Sequence, residues 1–401
     1  MKKQLTALMT AFALAAAAAP MPASSAEAPE GITFTYEKNE ESVTITGFKG
    51  SDSVLIIPDT IEGLPVTEIG KNVFAGMSEL TAVVIPDTVK SIGERSFSAC
   101  PNLSSVTMGK SVTGMGGYAF SACPKLCSFT VSAENPTYLS KDGCLMSEKG
   151  NRLVLYVGGR EAVIPDSVRV VTKGAFMGKT DITSVVIPPK ATSLGDYTFS
   201  GCTSLKSVDI PDSVTNVGAG CFMSCSSLSS AKLGSGIKEI RTNVFNACTS
   251  LNDIIIPENT AAIGTDAFFG CTELNGIYIP ETVTSIADSA IGQHYDLRNG
   301  QLENINGFIL HGEEGSAAES YAAAAGIEFR PFLLGDVDDS GAVDGSDATM
   351  ALREYSYCMD RPGSTLNIYG RLAADYDKSG AVDGSDATLI LKEFGYNLAN
   401  M

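Results

Sequence analysis

The most legible chemistry in this 401-residue chain lies in two acidic loops near its C-terminal end. Taking Asp336 as position 1, Asp338 stands at 3, Ser340 at 5, Gly341 at 6, Ala342 at 7, Asp344 at 9 and Asp347 at 12. The same spacing returns 39 residues later as Asp375, Asp377, Ser379, Gly380, Ala381, Asp383 and Asp386. Calcium takes roughly six to eight hard oxygen ligands around a sharp turn. Carboxylates at 1, 3, 9 and 12, a hydroxyl at 5 and a backbone carbonyl at 7 supply such a set, with Gly at 6 to make the turn. Two calcium ions are therefore expected, one per loop. Each loop leads into an amphipathic stretch that reads as a helix.

Two positions depart from a strict EF-hand loop. Position 5 is Ser where Asp or Asn would be the stronger ligand, and position 12 is Asp, one methylene shorter than Glu. A metal-free acidic turn is the bland alternative, and two in-phase copies of GAVDGSDAT argue against it. The duplicated half-EF-hand resembles a type I dockerin, the module that joins secreted proteins to cohesins of a cellulosome scaffold, and that family uses Asp at position 12. The resemblance implies cohesin contacts from Gly345, Ser346, Leu352, Arg353 and Tyr357, and from Gly384, Ser385, Leu391, Lys392 and Tyr396. The two faces are nearly identical in chemistry, which suggests docking in either of two orientations. Leu352 and Leu391 also suit internal packing between the helices.

Other chemistry is sparse. There are only two histidines, His294 and His311, and none of the G-x-S-x-G, H-E-x-x-H or Walker-type patterns. No pair of carboxylates stands apart from the repeat pattern as a glycosidase needs, and Trp is absent. An enzyme is not expected. Of ten cysteines, Cys100, Cys123, Cys202, Cys225, Cys248 and Cys271 share one slot of a repeat. Stacked equivalents have parallel side chains, poor geometry for a disulfide, so a ladder of reduced, buried thiols is expected. Cys127, Cys144, Cys221 and Cys358 lie off that ladder, where one pair could bridge.

The slot belongs to a 23-residue unit written four times without a gap from Thr183 to Leu274: a V-x-I pair, usually Pro, then V, I-G, Phe, Cys and Leu. A fixed period of this kind is the signature of a solenoid, in which no unit buries its apolar face alone. The Phe slot runs through Phe74, Phe97, Phe120, Phe176, Phe199, Phe222, Phe245 and Phe268, with Ile291 next. One step is 56 residues, between Phe120 and Phe176, which predicts an inserted hairpin over about 127–159. The V-x-I segments predict short parallel strands, with Val83 and Ile85, Val185 and Ile187, Val208 and Ile210, and Ile254 and Ile256 inward. Val84, Thr107, Val186, Asp209, Lys232, Ile255 and Tyr278 would then form an outward column, a candidate binding face. These repeats resemble the BspA-like bacterial leucine-rich repeats over residues 30–332. That implies a curved solenoid for binding at surfaces, with no particular ligand and no catalysis.

The remaining organisation follows. Residues 1–26, with Lys2, Lys3 and an apolar core over 5–19, read as a secretory signal that is too short to span a membrane. Residues 27–53 read as a β-hairpin cap, 54–332 as the leucine-rich-repeat solenoid with a C-terminal cap near 292–332, and 333–401 as a small all-α dockerin. A formal net charge of −18 offers no basic face to nucleic acid or anionic lipid. The expected protein is secreted and attached at the cell surface through a scaffold, with a protein or glycan as solenoid ligand. A surface adhesin anchored by the same module is the alternative, and a glycoside hydrolase component is the less favoured one.

Overall fold

The computed structural model describes residues 33–296, 298–360, 366, 368–379 and 381–400, without the side chains of residues 360, 368 and 396–400. The expected leader over 1–26, the start of the expected cap over 27–32, Gly380 and the Tyr396 side chain lie outside the described residues. The chain divides into two compact units, up to Gly158 and from Gly159 onward.

The first unit opens with the hairpin Thr33–Lys38 and Val43–Lys49. Its turn is set by Asn39, whose side-chain oxygen accepts from the backbone N–H groups of Glu41 and Ser42 at 2.9 and 2.8 Å. Side-chain capture of nearby backbone donors is why Asn favours such turns. Phe48 of the hairpin stands 5.2 Å from Phe74, so the cap continues the aromatic stack of the repeats. Val54–Ile56, Ala82–Ile85, Ser105–Met108 and Ser128–Val131 then form a four-stranded parallel sheet. A second ladder joins Val43–Lys49 to Leu64–Ile69, Ser91–Ile92 and Gly114–Met115. Sequence reading found one strand per repeat; the I-G segment makes a second, only two residues long.

The stretch 127–159 is more than an insert. Ser128–Val131 pairs in register with Ser105–Met108 as an ordinary repeat strand. The additional structure is a three-stranded antiparallel meander, Tyr138–Lys141, Cys144–Ser147 and Arg152–Tyr156, whose middle strand is buried at all four residues.

In the second unit the repeat strands Ser207–Asp209, Ser230–Lys232 and Asp253–Ile254 pair in parallel, as do Glu161–Val163 and Ser184–Val186. The inward pairs predicted from alternation are all buried. Phe176, Phe199, Phe222, Phe245 and Phe268 are fully buried and stack with centroids 4.7, 5.2, 5.4 and 5.4 Å apart. Each such ring contributes on the order of 2 kcal/mol by leaving water. Every turn also bends through left-handed backbone, at Tyr197, Asn243 and Asp266 among others.

The repeats end in strands Gly276–Tyr278, Ile309–Gly312 and Glu328–Pro331, a parallel three-stranded sheet. Helix α1, Ala317–Ala325, covers this end. Its start is a variant of the capping box: Ser316 accepts from the Glu319 N–H, and the Glu319 carboxylate accepts at 2.6 Å from the N–H of Gly315, one residue before the N-cap. Buried Tyr321 donates to the Ile291 carbonyl at 2.8 Å and accepts from the Ile291 N–H at 3.0 Å, tying α1 to the last repeat. After it come three helices: α2 (Gly345–Asp360), α3 (Ile368–Ala374) and α4 (Gly384–Asn400). Val337, Ala348, Ala351, Ala374, Ala387 and Ile390 form their own small core.

Candidate metal centre and binding faces

Each acidic loop folds around its own carboxylates. In the first, Asp347 takes the backbone N–H groups of Val337 and Asp338 on one oxygen, at 2.7 and 3.2 Å, and that of Asp344 on the other, at 2.7 Å. Asp336 accepts from the Ser340 and Gly341 N–H groups at 2.9 and 2.8 Å. The turn needs left-handed backbone at Asp339 and Gly341, with φ of 59° and 86°. The second loop repeats three of these bonds: Asp386 accepts from Asp377 and Asp383, and Asp375 from Ser379. Asp347 and Asp386 also fall in the first turns of α2 and α4, where the exposed N–H groups favour negative charge.

The result is two clusters, Asp336 with Asp338 and Asp347, and Asp375 with Asp377 and Asp386, each offering three carboxylate oxygens within 4.8 Å of one another. The other loop ligand candidates sit at their edge. Ser340 Oγ is 3.4 Å from Asp336 and 3.3 Å from the Ala342 carbonyl oxygen, and Ser379 Oγ is 3.4 Å from Asp375 and 3.1 Å from that of Ala381. Asp344 and Asp383 join through serine: Ser346 Oγ bridges Asp338 and Asp344 at 2.9 and 2.8 Å, and Ser385 Oγ bridges Asp377 and Asp383 at 3.1 and 2.7 Å. Those serine bonds hold the Asp344 and Asp383 carboxyls below the usual range. Burial, reinforced by Asp347 and Asp338, pushes Asp336 up. Converging hard oxygens, some buried and crowded with like charge, form a donor set that fits a hard divalent cation of calcium's size.

The residues that the dockerin resemblance assigned to partner contact are distributed on both loop-helix units. Leu352 and Arg353 on α2, and Leu391 and Lys392 on α4, are exposed; the two leucines show 46 % and 47 % of their surface. Ser346 and Ser385 are exposed, and Gly345, Gly384 and Tyr357 half-buried. Leu352 and Leu391 are therefore surface residues, and the core positions fall to Ala348, Ala351, Ala387 and Ile390.

The outward column of the repeats is uneven. In the first unit Val84 and Thr107 are cross-strand neighbours and half-buried. In the second, Val186 is 57 % exposed beside the still more exposed Val163, Asp209 and Lys232 face each other 3.7 Å apart, and Ile255 is exposed. Tyr278 departs from the expectation of an open residue: Phe332 packs on its ring at 4.4 Å, leaving it half-buried. Sequence reading missed this because the covering residue comes from beyond the repeats.

All ten cysteines are free, so the off-ladder pair that could have bridged does not. The ladder thiols are buried, and each donates to the carbonyl of the Phe one turn earlier, as Cys202 does to Phe176 at 3.3 Å and Cys248 to Phe222 at 3.1 Å. Burial pushes the thiols of Cys202, Cys221, Cys225, Cys248 and Cys271 up, whereas a side-chain hydrogen bond with Cys123 holds Cys100 down. No described helix is long and apolar enough to cross a membrane.

Among curated proteins none matches the chain. Solved structures that it resembles include a leucine-rich cell surface protein from Faecalibacterium prausnitzii, at 24 % identity, 77 % of this chain, 98 % of that one and a TM-score of 0.38. A leucine-rich repeat protein from Eubacterium ventriosum gives 20 %, 64 %, 91 % and 0.43, and the Treponema pallidum leucine-rich repeat protein 24 %, 60 %, 87 % and 0.28. At these scores the family assignment rests on the repeats themselves. Six copies of the BspA-type leucine-rich repeat region match residues 56–145 and 169–298, more than half of the chain. The chain belongs to the BspA-type leucine-rich repeat family.

Proposed function

We propose that this is a non-catalytic, surface-exposed binding protein with two working parts. The leucine-rich repeats recognise a protein or glycan. The C-terminal module holds two calcium ions and attaches the protein, calcium-dependently, to a cohesin-type module of an extracellular scaffold. The observation that carries the reading is the duplication: two loops with one ligand spacing gather three carboxylates each, and each leads into a helix with an exposed Leu followed by a cation. Asp336, Asp338, Ser340, the Ala342 carbonyl, Asp344 and Asp347 would hold one ion. Asp375, Asp377, Ser379, the Ala381 carbonyl, Asp383 and Asp386 would hold the other. Bound calcium supplies charge neutralisation and a fixed loop geometry; the chain's own helices supply the contact surface.

Leu352, Arg353, Leu391 and Lys392 would meet the partner, each Leu filling an apolar depression and each cation meeting a carboxylate or carbonyl at its rim. The test is binding of the full chain to a cohesin panel with calcium and with chelator. Calcium-dependent capture, weakened when Leu352→Asp and Leu391→Asp are combined, supports the reading. Indifference of every cohesin to calcium-loaded protein would leave the solenoid's attachment to be sought elsewhere.

A further inference from the structure

The two calcium loops are the same sequence except at position 2, Val337 against Tyr376, and position 4, Asp339 against Lys378. Both position-4 residues have left-handed backbone, with φ of 59° and 58°. Lys378 is exposed. Asp339 is half-buried and ion-paired with Arg330, on the strand that ends the solenoid. His311, buried on the adjacent strand, lies 3.9 Å from the other Asp339 oxygen. Burial lowers its pKa to about 4 and its Nδ1 has no hydrogen-bond partner, so it is a neutral neighbour of Asp339 and not a second ion pair.

Three aromatic residues continue the contact. Tyr369, near the start of α3, lies 4.1 Å from the His311 ring and meets Phe332 edge-on at 5.5 Å. Phe332 packs in turn on Tyr278. The Tyr369 hydroxyl is 3.5 Å from Asp336, the first ligand of loop one. Further along α3, Arg371 pairs with Asp253 on the outer face of a repeat strand. The module is thus seated on the last repeats through α3 and loop one, while Leu352, Arg353, Leu391 and Lys392 on α2 and α4 stay exposed.

We propose that calcium in the first loop and this seat strengthen one another, and that the second loop fills independently of the seat. The proposal rests on reading the loops as calcium sites. Without a cation, Asp336, Asp338 and Asp347 crowd three negative charges within 4.8 Å, which favours loosening of the loop. A bound cation neutralises them and fixes the loop in the form that presents Asp339 to Arg330 and Asp336 to Tyr369. Whatever calcium adds to the seat, the seat must return to calcium affinity. The lysine at position 4 removes the Arg330 contact from the second loop, whose tie to α3 is a backbone one: the Asp375 N–H donates to the Arg371 carbonyl at 3.1 Å.

The test is calcium titration of the full chain, with Asp338→Ala and Asp377→Ala variants to assign the two sites. The seat is weakened by Asp253→Arg, which changes no loop residue, and restored by combining it with Arg371→Asp. The expected result is a loss of about fivefold or more in affinity at the first site alone. The double charge swap should recover it, and Asp253→Arg should have no effect once Asp338→Ala has removed that site. Two calcium sites that both ignore Asp253→Arg would overturn the coupling and leave the calcium reading standing. Failure of the unmodified chain to take up calcium would overturn both.

Discussion

The Cys225 thiol donates to the Phe199 carbonyl, 26 residues earlier, at 3.1 Å, and the ring of Phe199 stacks on that of Phe222, 5.2 Å away. One slot thus satisfies a backbone acceptor and fills the gap beside an aromatic column. A small residue with a weak donor is what that position asks for. Replacing Cys225 with Ala removes both the donor and the sulfur's volume. The expected cost is about 1–3 kcal/mol, read as a lower midpoint in urea unfolding with unchanged slope. Cys→Ser at the same position keeps a donor and should cost less than Ala.

Thiol reactivity follows from the same geometry. Native protein treated with an alkylating reagent should be labelled at exposed Cys127 and Cys358, with the six ladder thiols, Cys144 and Cys221 protected until unfolding. Burial pushes Cys225 and Cys271 up to about 12 from an ordinary 9.0, while in the unfolded chain the thiols ionise normally. The folded state therefore holds more protons in alkali, and stability must fall as pH rises. The contribution is fully present below pH 9.0 and is lost as pH climbs through about 12. Denaturation midpoints measured from pH 8 upward check the sign.

The glycine of the I-G pair is fixed by stacking. A Cβ on Gly218 would lie 2.3 Å from the Asp196 backbone nitrogen, and one on Gly116 equally close to that of Glu94, in each case on the turn before. Gly218→Ala should force adjacent turns apart and cost about 1–3 kcal/mol, measured by thermal or denaturant unfolding. Gly63, where a Cβ meets nothing within 4 Å, has φ of 81°, so Gly63→Ala tests backbone strain without a clash.

Much of this was legible in the chain itself. Phe199 and Cys225 recur at a fixed period, so their burial follows from the repeat alone. The strand register followed too, since Val208 and Ile210 alternate with Asp209. Three features were not legible. The two-residue second ladder, such as Ser193–Leu194, is too short to carry a period-2 pattern. Ser128–Val131 was hidden because its repeat continues into a meander instead of the usual turn. The burial of Tyr278 depends on Phe332, a pairing that no local spacing encodes.

The open part of the repeat face gives a further prediction. Val163 and Val186 are paired neighbours with most of their surface in solvent, so charged substitutions there disturb no core. Val163→Lys with Val186→Glu, which sets opposite charges on directly opposed positions, should leave stability within about 0.5 kcal/mol per site. If the repeats bind their ligand through this face, the same variant should lose surface binding by roughly tenfold or more while calcium uptake by the C-terminal module is unchanged. Binding equal to that of the unmodified chain would place the ligand on another face.

The most direct test of the account is a count of calcium ions bound by the full chain and by variants at the exposed ligands Asp338 and Asp377. The account predicts two ions for the unmodified protein, one each for Asp338→Ala and Asp377→Ala, and none for the double variant at micromolar calcium. No uptake by the unmodified chain, or uptake that survives in the double variant, would contradict it.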